Sequence, residues 1–230
     1  MELFLIRHGQ SANNVLTDMT LRVEDPLLTP TGELQAERVA RHLAARRHLH
    51  TDARDAARPI FDRLYCSPML RAMQTARPIA QALGVPYEVW LDIHEVGGIY
   101  LDHDGRKVGY SGQTRGQLLE RFPECTLPHD LSEQGWWNRD FEEAHQGHAR
   151  AAAVARNLRA RAGDSVRIGL VSHGDFLKLL LNALNDLDHG GGSYYEHRNT
   201  GITHVDLTPL GARVRYLNRV DHLDEALITY

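Results

Sequence analysis

The 230 residues are 42% hydrophobic and 24% charged, ordinary proportions for a globular protein and enough to bury a sizeable core. With 26 basic and 30 acidic side chains the net charge is −4, which gives no electrostatic reason to expect nucleic acid or an anionic membrane as a partner. Two cysteines, Cys66 and Cys125, are too few for a disulfide framework; Cys66 reads as a small buried residue and Cys125 as part of a polar loop.

The N-terminus, MELFLIRHG, lacks the basic start and long apolar region of a signal peptide. No stretch approaches the roughly 18 uninterrupted apolar residues of a membrane helix. Even FLKLLLNAL, 176–184, is broken by Lys178 and Asn182. A cytoplasmic protein is expected.

In chain order, ELFLI (2–6) is an apolar run of strand length, expected to be buried on both faces. The segment 29–47 opens with helix-start chemistry: Thr31 can cap, and Leu34 begins an apolar stripe continued by Val39, Leu43 and Ala44. IFDRLYCSP (60–68) alternates like a strand and ends at Ser67-Pro68. A helix over 69–83 stops at Gly84, and VPYEVWLD (85–92) reads as a further strand.

Residues 93–140, rich in Gly, His, Asp and Trp, have one helical stretch, GQLLERF (116–122), and form either a long insertion or a lid. Trp136 and Trp137 either touch substrate there or cover the core. A helix spans 141–162, SVRIGLVSHG (165–174) is a buried strand, DFLKLLLNAL is an apolar helix, and strands over 202–208 and 212–217 close the chain. The alternation predicts an α/β fold: a three-layer α/β/α sandwich around a mainly parallel sheet, read as a single domain over 1–230.

Arg7-His8-Gly9, Ser67-Pro68 and His173-Gly174 all stand where a strand gives way to a helix. In open α/β sheets ligands bind beyond the carboxyl ends of the strands, so these groups are expected on one rim. Arg71, just inside the next helix, adds a second guanidinium suited to phosphate. His173-Gly174 adds a cationic or donor group at a helix start, where backbone amides also favour anions. Gly9 would let the backbone turn and approach a phosphate. Ser11 would either cap a helix or touch phosphate.

Other motifs fail. HGGGS (189–193) resembles an esterase oxyanion loop, but no GxSxG accompanies it, and it reads as a flexible loop. There is no GxxxxGK[ST] nucleotide loop and no HExxH; His145 and His148 read as a solvated helix face. Arg106, Lys107 and Arg115 either meet a second anionic group or are solvated.

Taken in order, LIRHGQSANN (5–14), DPLLTPTGELQA (25–36), YCSPMLRAMQTA (65–76), HEVGG (94–98), VSHGDFL (171–177) and NTGIT (199–203) resemble the histidine phosphatase superfamily, which includes the cofactor-dependent phosphoglycerate mutases. The resemblance spans nearly the whole chain and implies a phosphoglycerate mutase-like fold. It implies that His8 is the nucleophile that becomes phosphorylated, and that Arg7, Arg71 and His173 bind the phosphoryl group with Asn14 assisting. Glu95 would be the proton donor, with Asp92, Asp102 and Asp104 nearby as alternatives.

Two arginines and a protonated His173 would supply the charge without a metal or other cofactor. The partner expected is a small phosphorylated metabolite; the oligomeric state, a homodimer included, stays open. Mutases of the family carry their glutamate in a pattern resembling ERHYG, followed by a basic, proline-rich insertion. HEVGG and the acidic segment after it depart from that pattern, which favours hydrolysis over mutase activity. A silent phosphate-binding module would be expected to have lost His8, Glu95 or an arginine.

Overall fold

In the computed structural model, which describes residues 1–48, 58–187 and 195–230, the first apolar run forms β1 (Glu2–Arg7). Its four central residues are fully buried and alternate between two cores. Phe4 and Ile6 pack with Val39 and Leu43 of α1 (Pro30–Ala44) and Met73 and Ile79 of α2 (Leu70–Leu83). Leu3 and Leu5 pack with Val154 and Leu158 of α4 (Ala144–Ala160) and Phe176 and Leu180 of α5 (Gly174–Leu184). A strand covered on both faces needs apolar residues at every position, which is why the run is continuous. The result is the three-layer α/β/α sandwich the sequence predicts.

Beside β1 the sheet holds β2 (Arg63–Cys66), β3 (Tyr87–Val89), β6 (Cys125–Thr126), β7 (Arg167–Ser172), β8 (Ile202–Thr208) and β9 (Gly211–Arg219), in the order β6-β3-β2-β7-β1-β8-β9. Pairing is parallel from β6 to β1, and the late strands add antiparallel to β1. Among the described residues no helix is long and apolar enough to cross a membrane. The HGGGS stretch lies outside the described residues.

Local expectations are corrected at several points. α1 is capped by Thr29, whose Oγ1 accepts from Gly32 N at 3.1 Å, and not by Thr31. Its buried face runs through Gly32, Ala36, Val39, Ala40 and Leu43, while Leu34 is 38% exposed; Leu34 sits about 200° round the helix from Gly32 and so faces away. α4 starts at Ala144 rather than Phe141, because Glu143 and Gln146 form a capping box there and Glu142 is drawn into an ion pair with Arg150.

Residues 93–140 hold more structure than one helix. β4 (Tyr100–His103) and β5 (Arg106–Gly109) form a hairpin, α3 (Arg115–Arg121) follows, and β6 extends the main sheet. Cys125 is therefore buried in a strand and not in a polar loop; both cysteines are free thiols. Trp136 and Trp137 are buried in the core, against each other and His94. Of their two readings, covering the core is the one observed.

Candidate active site

Register builds the site. β1 pairs with β7 so that Arg7 lies opposite Ser172, and β2 pairs with β7 so that Cys66 lies opposite Val171. The residues that leave these strands, His8, His173 and Ser67, therefore emerge side by side. The His8 amide donates to Ser172 O at 2.9 Å, and the His8 and His173 rings are 5.0 Å apart.

Arg71, in the first turn of α2, donates Nε to His8 Nε2 at 3.1 Å. Arg7 donates Nη1 to His197 O at 2.6 Å and runs along the start of α5, where a Cβ on Gly174 would stand 3.5 Å from its Nε. Glu95 closes the far side: Oε1 accepts from Val96 N and Phe176 N, both at 2.9 Å, and Oε2 from Asp175 N at 3.4 Å. Arg7, His8, Arg71, Glu95, His173 and Gly174 are thus brought together. Asn14 stands on an exposed turn, where its Oδ1 accepts from Ser11 N at 2.9 Å and Ser11 Oγ at 3.0 Å. Ser11 acts as the cap of that turn.

The electrostatics divide the histidines from the acid. His8 Nδ1 lies 2.6 Å from Gly9 O; a carbonyl only accepts, so Nδ1 carries the proton and Nε2 keeps its lone pair. Burial, then the charges of Arg71 and Arg7, hold the His8 pKa well below the ordinary histidine value. Burial, with Arg71 and His8, does the same to His173. The expected protonated His173 is corrected to a neutral ring. Its Nε2 meets Ser67 Oγ at 2.7 Å, and its Nδ1 is buried without a partner.

Glu95 shifts the other way: burial and then Asp175 raise its pKa, against the lowering effect of the Val96 amide, Arg71 and the Phe176 amide. Asp25 is a residue that sequence reasoning missed inside a motif it had noted. Its Oδ1 accepts from Leu70 N at 3.1 Å and lies 3.9 Å from Arg71 Nη1; burial pushes its pKa up to about 6 against the pull of Arg71.

Backbone contacts hold the nucleophile's loop. Thr75 Oγ1 accepts from Gly9 N at 3.0 Å and donates to Arg71 O at 2.7 Å. Thr200 N donates to Arg7 O at 3.1 Å and His8 O at 3.3 Å, and Asn199 Nδ2 donates to His8 O at 3.1 Å. The last residues reach the same loop: Thr229 Oγ1 donates to Asn199 Oδ1 at 2.9 Å, and Gln35, which accepts from Gln10 N at 2.8 Å, donates to Leu227 O at 2.7 Å.

Gly9 is required for packing: a Cβ there would stand 2.5 Å from Gly32 O of α1. Beneath Glu95, Arg150 makes a two-pronged ion pair with Glu142 at 2.8 and 2.6 Å and donates to His94 O at 2.9 Å. A Cβ on Gly98, at φ +72°, would collide with the Trp137 indole, so the paired glycines of HEVGG seat that ring.

Among the described residues the one metal-like grouping is Glu2, His204 and Asp206, with ligand atoms within 4.8 Å of one another. It lies at the opposite end of β1 from His8, and Arg167 and Arg215 already bond the two carboxylates.

Residues 3–220 match the description of the histidine phosphatase superfamily, branch 1. Two solved structures share the fold. Phosphoserine phosphatase of Entamoeba histolytica, solved with phosphoserine, is 21% identical with a TM-score of 0.62, covering 97% of this chain and 99% of that one. The α-ribazole phosphatase of Shigella flexneri is 20% identical with a TM-score of 0.61, covering 95% and 96%. A stretch of 98 residues is 34% identical to the PE-PGRS family protein PE_PGRS11 of Mycobacterium tuberculosis, covering 42% of this chain and 15% of that protein.

Proposed function

The chain belongs to the histidine phosphatase superfamily, and on that premise we propose that it hydrolyses a small phosphate monoester through a phosphohistidine on His8. The observation that carries the reading is the His8 tautomer: Nδ1 is committed to Gly9 O, and the Nε2 lone pair points into the cluster of Arg71 and His173.

In the first step Nε2 attacks phosphorus and the bond to the ester oxygen breaks. Glu95, whose pKa burial raises, gives its proton to the departing alkoxide. In the second step the Glu95 carboxylate takes a proton from water, whose oxygen attacks phosphorus and breaks the P–N bond. Inorganic phosphate leaves, and His8 and Glu95 return to their starting forms.

Arg7 and Arg71 stabilise the charge on the equatorial oxygens. His173 Nδ1 and the Gly174 amide serve as further phosphate contacts, with Asn14 assisting from the first loop. With that charge supplied by the chain, we read the reaction as metal-independent and the acceptor as water, not a second hydroxyl of a mutase substrate. The names of the structural relatives, phosphoserine and α-ribazole phosphatases, support a small phosphorylated metabolite. A single domain over 1–230, working in the cytoplasm, remains part of this reading.

The test is a panel of phosphate esters with inorganic phosphate as readout. Acid-labile label on His8, loss of turnover in His8→Ala down to the uncatalysed rate, and activity unchanged by a chelator are expected. Label on another residue, or an active His8→Ala chain, refutes the mechanism.

A further inference from the structure

The start of the 93–140 segment forms, with Arg22 and Phe141, a cationic, aromatic cluster that the reaction above does not use. Tyr100 and Phe141 meet edge to face at 4.7 Å. A Cβ on Gly97, in the run following Glu95, would touch both rings, which ties this floor to the catalytic loop. The Arg22 guanidinium lies 4.8 Å over the Tyr100 ring, and Lys107 Nζ lies 4.1 Å over Phe141 and 5.8 Å from Tyr100.

Neither cation forms an ion pair among the described residues, and Arg22 Nε is buried with no acceptor. By contrast, Arg77 is occupied by Glu124, Arg150 by Glu142, Arg63 by Glu88, and Arg115 by Pro128 O. A buried donor without an acceptor is costly, so Arg22 is built to receive one. Its charge is also felt at Arg71, whose pKa it helps to lower, which places it within electrostatic reach of the phosphate cluster.

We propose that Arg22, with Lys107, forms a subsite for a second anionic group, a carboxylate or phosphate, carried by the same phosphorylated small molecule. This rests on the phosphatase reading of the site. Arg22 binds that group through charge-assisted hydrogen bonds while Arg7 and Arg71 hold the phosphoryl group. The subsite selects phosphorylated acids over phosphorylated alcohols of the same length.

The test compares 3-phosphoglycerate with glycerol 3-phosphate. In titration calorimetry the His8→Ala chain should bind the acid about tenfold or more tightly than the alcohol, a preference of the size expected for a charged hydrogen bond. Arg22→Gln on that background should reduce the preference to about twofold, and Arg22→Lys should restore part of it. Equal affinities, no measurable binding of the acid, or an equal loss for both ligands overturns the subsite.

Turnover by the unmodified chain reports separately. If no member of the ester panel is hydrolysed while the binding preference holds, hydrolysis falls and the subsite stands. If both are hydrolysed with equal kcat/KM, the subsite falls and hydrolysis stands.

Discussion

His8 and Glu95 are pushed in opposite directions by the same burial, because burial disfavours whichever form is charged. Burial thus favours the neutral, nucleophilic imidazole and the protonated carboxyl. The acid limb of kcat/KM should therefore lie below the ordinary histidine value of about 6.5; a limb at that value would mean a solvated His8. Glu95→Gln should slow phosphorylation of His8 by alkyl phosphates, read as single-turnover alcohol release, by about 100- to 10,000-fold and by nitrophenyl phosphate far less, since nitrophenolate leaves without a proton. Equal losses in that first step would remove Glu95 as the acid. Activity on alkyl phosphates should also decline as pH rises through the raised Glu95 pKa. At this scale the sequence was legible where a chemical group sits at a strand end, as with Arg7, His8 and His173. Asn199, Thr200 and Thr75 were not legible as parts of the site, because they act through backbone bonds to residues distant in sequence.

The strands and helices themselves were readable wherever they are long. The two-sided burial of β1 shows as an unbroken apolar run, and the αL residue Gly84, at φ +64°, shows as the stop of α2. β6 was not readable: two residues carry no alternation, and its place is fixed by pairing to β3. In α1, Val39 and Leu43 are buried as read, but Leu34 and Ala44 are exposed, because the close contact of the helix start with the loop after His8 is made by a glycine. Gly32 lies in that contact, and a Cβ there would stand 2.0 Å from Gln10 O. Gly32→Ala should cost about 1–3 kcal/mol of stability and also lower kcat, since the displaced backbone is the loop after His8. A lower melting temperature with unchanged kcat would show that the loop is insulated from α1.

For the molecule as a whole, two carboxylates link stability to acidity. Glu2, bonded to His204 and Arg167, and Glu142, bonded to Arg150 and His94, are each lowered from 4.5 to about 2 despite partial burial. Between those values the unfolded chain holds more protons than the folded one, so stability rises with pH and is lost as pH falls toward 2. With solvent screening, each contributes on the order of 1 kcal/mol. Asp25 has the opposite sign: its pKa is raised from 3.8 to about 6, so folding binds a proton and stability falls across that window as pH rises. Urea midpoints should climb with pH from 2 to about 6, since His48, His197 and His222, lowered to about 3, 4 and 3, add to the rise, and Asp25→Asn should make the climb steeper between about 4 and 6. A midpoint indifferent to Asp25→Asn would mean that the carboxyl is ionised throughout.

The chain's last residues give the molecule a boundary different from the one its family suggests. The family match ends at residue 220, yet Leu227 and Thr229 hold Gln35 and Asn199, and those two bond Gln10 N and His8 O of the loop that carries the nucleophile. A chain shortened to residue 220 would keep every charged group of the site and lose the latch that keeps them in place. Such a chain should fold and bind phosphate while turning over poorly, with faster amide exchange at residues 8–10. The tail then acts as a fastener for a reaction in which it touches nothing.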